Sequence, residues 1–248
     1  MSYSAKVYRK QGGDEMVVAA GGRINKTAVV EYFTDFLGDA LEDELLAGVG
    51  SGTGNAVAIS IGAGGRAEIK TSSADAAIGA NGSSLGLGAL NWRADQGGLW
   101  METRLQIDAI TDVMVFAGFT DTLGSTVEAP LFLVAADFDS DATNACGIVF
   151  DTDGTTDQWC HGGVKADVDT VPDYSGTAPV AATYVTLRVE VSAAGSVQGF
   201  IDGVAIGAPV ADAVTVTTPL VPIVFVANRG AAVRNVLVDY LLVQGDRA

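Results

Sequence analysis

The chain has 248 residues, of which 48% are hydrophobic, and 30 Asp and Glu stand against 14 Lys and Arg, for a net charge of −16. That apolar content excludes a disordered chain, the length allows one large β-sandwich domain, and the acidity excludes a nucleic-acid partner, which would need a cationic footprint. No run approaches the ~18 uninterrupted apolar residues of a membrane span, so no membrane partner is expected. Met1 to Lys10 holds no apolar core of a secretory signal, so synthesis in a reducing cytoplasm is expected. Cys146 and Cys160 form no disulfide framework and read as two free buried thiols, with a single bridge as the alternative.

Charge divides the chain. Lys6, Arg9, Lys10, Arg23 and Lys26 outnumber Asp14 and Glu15 in residues 1–30, whereas the rest is strongly acidic. Lys6–Arg9 and Met16–Val18 read as short strands between Gly-rich turns, with too few apolar groups for a core of their own. Residues 1–34 are therefore expected to be an arm that gains order on another surface. Residues 35–48 place Phe36, Leu37, Ala40, Leu41 and Leu45 on one helical face and predict a short helix. Residues 48–54 read as a Gly-rich connector, which completes a 35–54 unit. The GxGxGxG run there lacks the strand–helix context of a dinucleotide site.

From residue 55 to 248 the chain reads as strands. Leu99–Ile107 and Tyr184–Val191 alternate with period two, so each has one wet face. Asp202-Gly203 marks a tight hairpin, and a last strand runs from about Arg234 to Val243. Val113–Phe116, Leu131–Val134 and Ile223–Val226 are apolar on both faces. Such strands are either central and covered by other chain, or they meet a second subunit, since a large apolar patch in water is a liability. A homotrimer is the expectation drawn from them, the competing account being cover from the 35–48 helix and the 66–98 segment. About twelve strands with Gly-rich turns predict an all-β, two-sheet antiparallel sandwich.

Two acidic clusters bear on metal binding. Asp137, Asp139 and Asp141 have the D-x-D-x-D spacing, but Ala142 and Ile148 stand where an EF-hand needs Gly and Glu. Asp151, Asp153 and Asp157 form a second calcium candidate, weighed against a solvated turn that uses Asp and Gly for its geometry. No cofactor is expected. His161, the sole histidine, lies next to Cys160; neighbours on a strand point to opposite faces, so the two cannot form a nucleophile pair. A glycosidase needs two carboxylates flanking the sugar. Along single strands Glu102, Asp108 and Glu190 offer no acid-x-acid run, so no enzyme activity is expected. For carbohydrate binding, Trp92, Trp100, Trp159 and Tyr174 are the candidate stacking rings.

The segments Thr183–Ile206 (TYVTLRVEVSAAGSVQGFIDGVAI), Pro219–Arg229 (PLVPIVFVANR) and Val233–Val243 (VRNVLVDYLLV) resemble the closing strands of concanavalin A-like jelly rolls. Asn91–Thr122 and Gly147–Lys165 resemble jelly-roll proteins among the virion structural genes of tailed bacteriophages, and the opening AKVYRKQGGDEMVVAAGGRI is similar to the starts of phage head-associated proteins. These resemblances imply a head decoration (cement) protein that binds the major capsid protein on the outer surface of the virion. Lys6, Tyr8, Arg9, Lys10, Arg23 and Lys26 of the arm would then make the contact. The alternative they imply is a jelly-roll adhesin or carbohydrate-binding tail or head protein for host attachment.

Overall fold

The computed structural model describes residues 7–9, 16–18, 29–60, 64–73, 78, 82–88, 91–122 and 127–247. The strands are β1 (Val7–Arg9), β2 (Met16–Val18), β3 (Val29–Thr34), β4 (Leu45–Val49), β5 (Ala56–Ile59), β6 (Ala67–Lys70) and β7 (Ser83–Leu87). They continue with β8 (Leu99–Ile107), β9 (Val113–Thr120), β10 (Phe132–Val134), β11 (Asp137–Asp139), β12 (Asn144–Asp151), β13 (Cys160–Lys165), β14 (Val168–Asp169) and β15 (Asp173–Tyr174). The last five are β16 (Tyr184–Val191), β17 (Val197–Ile201), β18 (Val204–Ala205), β19 (Val221–Asn228) and β20 (Asn235–Asp246). One sheet has the order β14-β13-β12-β9-β19-β7-β4, with β15 also on β13. The second has the order β18-β17-β16-β8-β20-β6-β5, with β3 also on β20. All pairings within both sheets are antiparallel. The expected two-sheet sandwich is the architecture.

The inner faces meet in one core. Leu99, Met101, Leu105 and Ile107 of β8, with Leu187, Val189 and Val191 of β16, pack against Val113, Val115, Ala117 and Phe119 of β9 and Ile148 and Phe150 of β12. The period-two pattern of β8 and β16 sorts these residues inward, as the sequence predicts.

The first sheet has a second core on its outer face. Residues 127–142, which include the β10–β11 hairpin, form a strap across it. Val127, Leu131, Leu133 and Phe138 of the strap bury Met114, Phe116, Val149, Cys160, Val164 and Phe225. Two close approaches need glycine: a Cβ at Gly162 would lie 2.5 Å from the Phe138 ring, and one at Gly147 would lie 2.8 Å from the Phe116 ring.

This strap corrects the reason for expecting a trimer. Met114 and Phe225 are fully buried within one subunit, and Val224 lies in the inter-sheet core, so Val113–Phe116 and Val224–Val226 present no apolar surface for a subunit contact; of the third run, Val134 alone is exposed. The cover of these strands is the strap together with part of the 66–98 segment, where Ile78 packs on the same cluster and Gly82 lies against the Phe225 ring, and not a 35–48 helix. The helix is not formed. Phe36 sits at φ 54, in the left-handed region that breaks a helix, Leu37 is 70% exposed, and Leu45–Val49 pairs with β7. Strand pairing takes the C-terminal third of the segment, and its Glu42, Asp43 and Glu44 would have opposed the helix dipole. The arm boundary also moves, because β3 pairs with Leu241–Asp246 of β20 and so belongs to the second sheet. Within the arm, the two short strands form as the sequence predicts, and they pair with each other. Lys6, Lys10, Arg23 and Lys26 lie outside the described residues, and Tyr8 and Arg9 are described only as backbone of β1.

Cys146 and Cys160 are free and buried. Cys146 points into the inter-sheet core and Cys160 under the strap, so the two thiols lie on opposite faces of one sheet and cannot bridge. Burial pushes the Cys146 thiol up to about 12.

Candidate functional site

A cleft of about 540 Å³ lies at one end of the sandwich, within the size range of small-ligand sites. One wall is Val30, Glu31 and Tyr32 of β3, held in register by Gly245, Gln244 and Val243 of β20. The floor is Trp92, whose indole lies against Gly245, where a Cβ would come within 3.2 Å of the ring. The Trp92 backbone is fixed by Leu220, to which it donates at 3.1 Å and from which it accepts at 2.7 Å. Leu87 and Gly88 close the first-sheet side.

The rim is polar. Asp43 and Glu44 come from the turn that replaces the expected helix, Asn91 and Gln96 from the segment before β8, and Asp246 from the end of β20. Gly97 and Gly98, at φ 87 and 57, make room for the Asp246 carboxylate; a Cβ at Gly98 would lie 2.9 Å from it. Behind the wall, Glu42 accepts hydrogen bonds from the Tyr32 hydroxyl at 2.8 Å and from Thr34 Oγ1 at 2.7 Å. Burial, then the Glu42 bond and charge, push the Tyr32 hydroxyl upward, so it stays a proton donor. Among the described residues the lining thus combines four carboxylates, two carboxamides and two aromatic rings, and no basic side chain. Carboxylate and amide oxygens accept hydrogen bonds from hydroxyl or ammonium groups, and the ring faces offer apolar contact.

Of the four rings predicted for stacking, only Trp92 touches the cleft, and it is 7% exposed and packed into the inter-sheet core, so it shows the cleft little of its surface. Trp159 is core, 5.6 Å from Phe150. The Trp100 ring is covered by the Arg188 guanidinium at 4.3 Å. Tyr174 packs half-buried beside the strap core. Glu31, Asp43, Glu44 and Asp246 were missed because Asp246 lies more than 200 residues from the other three along the chain and meets Glu31 only through the β3–β20 pairing.

The calcium candidate is filled from within. Arg229 Nε donates to Asp151 Oδ1 at 2.8 Å, its Nη2 donates to Asp151 Oδ2, and its Nη1 lies 3.3 Å from Asp153 Oδ2. Asp151 also accepts from the backbone N–H groups of Leu133 and Asp153. The guanidinium therefore stands where a cation would balance the charge, and the pair clamps the strap onto β12. Asp157 is exposed and takes no part in this pair. Among the described residues no group of three or more His, Cys, Asp or Glu is arranged to hold a metal.

His161 and Cys160 point to opposite faces, as expected. The His161 ring is fully buried, its Nδ1 accepts from Gly199 N–H at 2.9 Å across the sandwich, and its Nε2 is 3.7 Å from Asp173 Oδ2. Burial pushes His161 down from its ordinary value, against the opposing pull of Asp173.

On the wet face of the second sheet, the register places Glu102 opposite Arg188 and Glu190 opposite Trp100. The two glutamates are thus diagonal neighbours on one face, a pair spacing of roughly 7–8 Å and somewhat less at Cβ, a juxtaposition that no reading along a single strand shows. Glu102 accepts from the Tyr240 hydroxyl at 2.7 Å, and Glu190 pairs with Arg188 at 2.6 Å. Asp108 accepts from Asn235 at 3.0 Å.

No protein-family model matches the chain, and no curated protein sequence does so. Solved structures do. A Bacillus licheniformis β-glucanase aligns with a TM-score of 0.57 at 12% identity, over 86% of this chain and 97% of its own. LamA from Z. galactanivorans, crystallised with laminaritriose and laminaritetraose, aligns at 0.59 and 10%, over 88% and 98%. The Emp47p carbohydrate recognition domain aligns at 0.57 and 11%, over 91% and 100%. The fold is a concanavalin A-like jelly roll. These similarities correct the expectation of no enzyme activity. This fold carries glucanases, so the lack of an acid-x-acid run on Glu102, Asp108 or Glu190 is no ground for excluding glycosidase chemistry.

Proposed function

We propose that this jelly roll binds carbohydrate, and that the Trp92 cleft is the binding site. The observation that carries the reading is the cleft itself: a ligand-sized concavity with the half-buried Tyr32 ring on its wall, a small exposed part of Trp92 at its floor, and a rim of carboxylates and carboxamides. That is the chemistry a pyranose requires, an apolar face to stack and hydroxyls to satisfy. The glucanases and the carbohydrate recognition domain among its structural neighbours support the same reading.

The test is a glycan array probed with the full chain, followed by calorimetry on the best binder and chromatography of the same samples for cleavage products. Asn91→Ala and Asp246→Asn, both on the exposed rim, should each weaken binding about tenfold, the equivalent of one hydrogen bond to a charged or polar partner, without lowering the melting temperature. Unchanged affinity in both variants, or no glycan bound at all, overturns the proposal.

The charge asymmetry favours a second reading: attachment of the same body, through the basic arm, to the major capsid protein on the outer surface of a phage head. Deleting residues 1–26 should then abolish binding to undecorated heads, and high salt should weaken it. Unchanged decoration by the truncated chain would dispose of that reading.

A further inference from the structure

The cleft holds Glu31, Asp43, Glu44 and Asp246 with no basic residue among the described residues of its lining, and Glu42 accepts from the Tyr32 hydroxyl beside it. Like charges gathered around one concavity raise each other's energy, and a cationic occupant relieves it. The chain carries such an occupant. Residues 1–28 hold five Lys and Arg against two Asp and Glu, the reverse of the balance elsewhere.

Chain connectivity puts the two together. Residue 28 is bonded to Val29, the first residue of β3, and Val30, Glu31 and Tyr32 are the cleft wall. Residues 19–28 separate the β1–β2 hairpin from that wall. Ten residues reach up to ~33–36 Å when extended, ample for a return to a cleft that begins so close to their own attachment point. Gly21-Gly22 within them permit the reversal. A hairpin of two three-residue strands is marginal by itself and needs a surface to lie on.

We propose that the basic segment 1–28 docks in the acidic cleft of its own chain, its Lys and Arg side chains pairing with the rim carboxylates. The segment is then an internal occupant that any external ligand has to displace. Attachment through Val29 favours the cleft of the same chain over that of a second copy, because a short tether gives an effective concentration in the millimolar range. This docking concerns the site of the carbohydrate reading but does not depend on it.

The test is zero-length carbodiimide cross-linking of the full chain, read by peptide mass spectrometry. Lys6 and Lys10, distant in sequence from every cleft carboxylate, should join to Glu31, Asp43, Glu44 or Asp246 within monomers. The yield should fall at least about fivefold in 0.5 M salt, where screening is strong. Cross-links from Lys6 and Lys10 to Glu31 and Asp246 should fall likewise in Asp43→Asn/Glu44→Gln, while the Lys165–Asp212 surface pair, 2.9 Å apart, still reacts. Joins scattered over the acidic body, yields unchanged in the variant, or joins found only between two copies each overturn the docking. Cross-linking needs no sugar, so failure of glycan binding on the array leaves this result standing, and the reverse holds as well.

Discussion

The outer faces of the two sheets differ in how they meet water. On the first sheet, Met114, Phe116, Val149, Cys160 and Phe225 lie dry under the 127–142 strap. On the second, Trp100, Glu102, Arg104, Arg188 and Glu190 stand wet, with guanidinium groups stacked on Trp100 and on Tyr184 at 4.3 and 4.2 Å. The same kind of strand therefore reads as apolar throughout or as alternating according to what the chain lays over it, and doubly apolar strands need not signal a second subunit. One polar pair makes the sealed face possible: Arg229 and Asp151 hold Leu133 of the strap from both sides, through Leu133 N–H and C=O.

The sharpest way to break this contrast is to place a charge on each face. Met114→Asp puts an unpaired carboxylate under the strap, at a cost of several kcal/mol, and should leave the protein insoluble or unfolded. Leu242→Lys, half-buried on the wet face opposite Glu102, should fold and melt close to the parent, because the new charge meets a carboxylate across the strands. A folded, soluble Met114→Asp monomer would restore the subunit-contact account. Next in size is the clamp. Arg229→Ala leaves Asp151 buried without its cation, so the urea midpoint should drop by the equivalent of about 3–5 kcal/mol, and Asp151→Asn in the same chain should recover part of it. A midpoint equal to that of the parent would mean that the strap holds without this pair.

The edge where the sheets are bolted together by His161 and Gly199 adds a pH dependence. Unfolded, His161 titrates near 6.5; folded, it titrates lower. As pH falls the unfolded chain binds the proton first, so this contribution is complete above about pH 6.5 and is lost below it, by up to about 1.4 kcal/mol per pH unit until the native value is reached. Urea melts of the parent minus His161→Gln, at pH 7.5 and 5.5, should show that slope, and a flat difference would contradict it. The smallest effect belongs to the wet face. Arg188→Ala removes an exposed stack and ion pair and should cost no more than about 1 kcal/mol. A larger loss in thermal melts would show that this face is less independent of the core than its exposure indicates.

Residue order alone determined the all-β class, the β8 and β16 alternation, the two short strands β1 and β2 and the Asp202-Gly203 hairpin, because these rest on period-two burial and on backbone preferences within a few residues. It also sufficed to separate Cys160 from His161, since adjacent strand residues face apart. What it left open, or set wrongly, depends on chain brought in from far away. The helix over 35–48 lost to pairing of Leu45–Val49 with β7, and cover for Met114 and Phe225 came from the strap and part of the 66–98 segment. The cation beside Asp151 proved to be Arg229, 78 residues on. The cleft joins Glu31 to Asp246 only because β3 lies antiparallel on the last strand. Local patterns fix which face of a strand is apolar; only the tertiary structure decides what meets that face, because burial, ion pairing and cleft formation are contacts between residues that the sequence keeps apart.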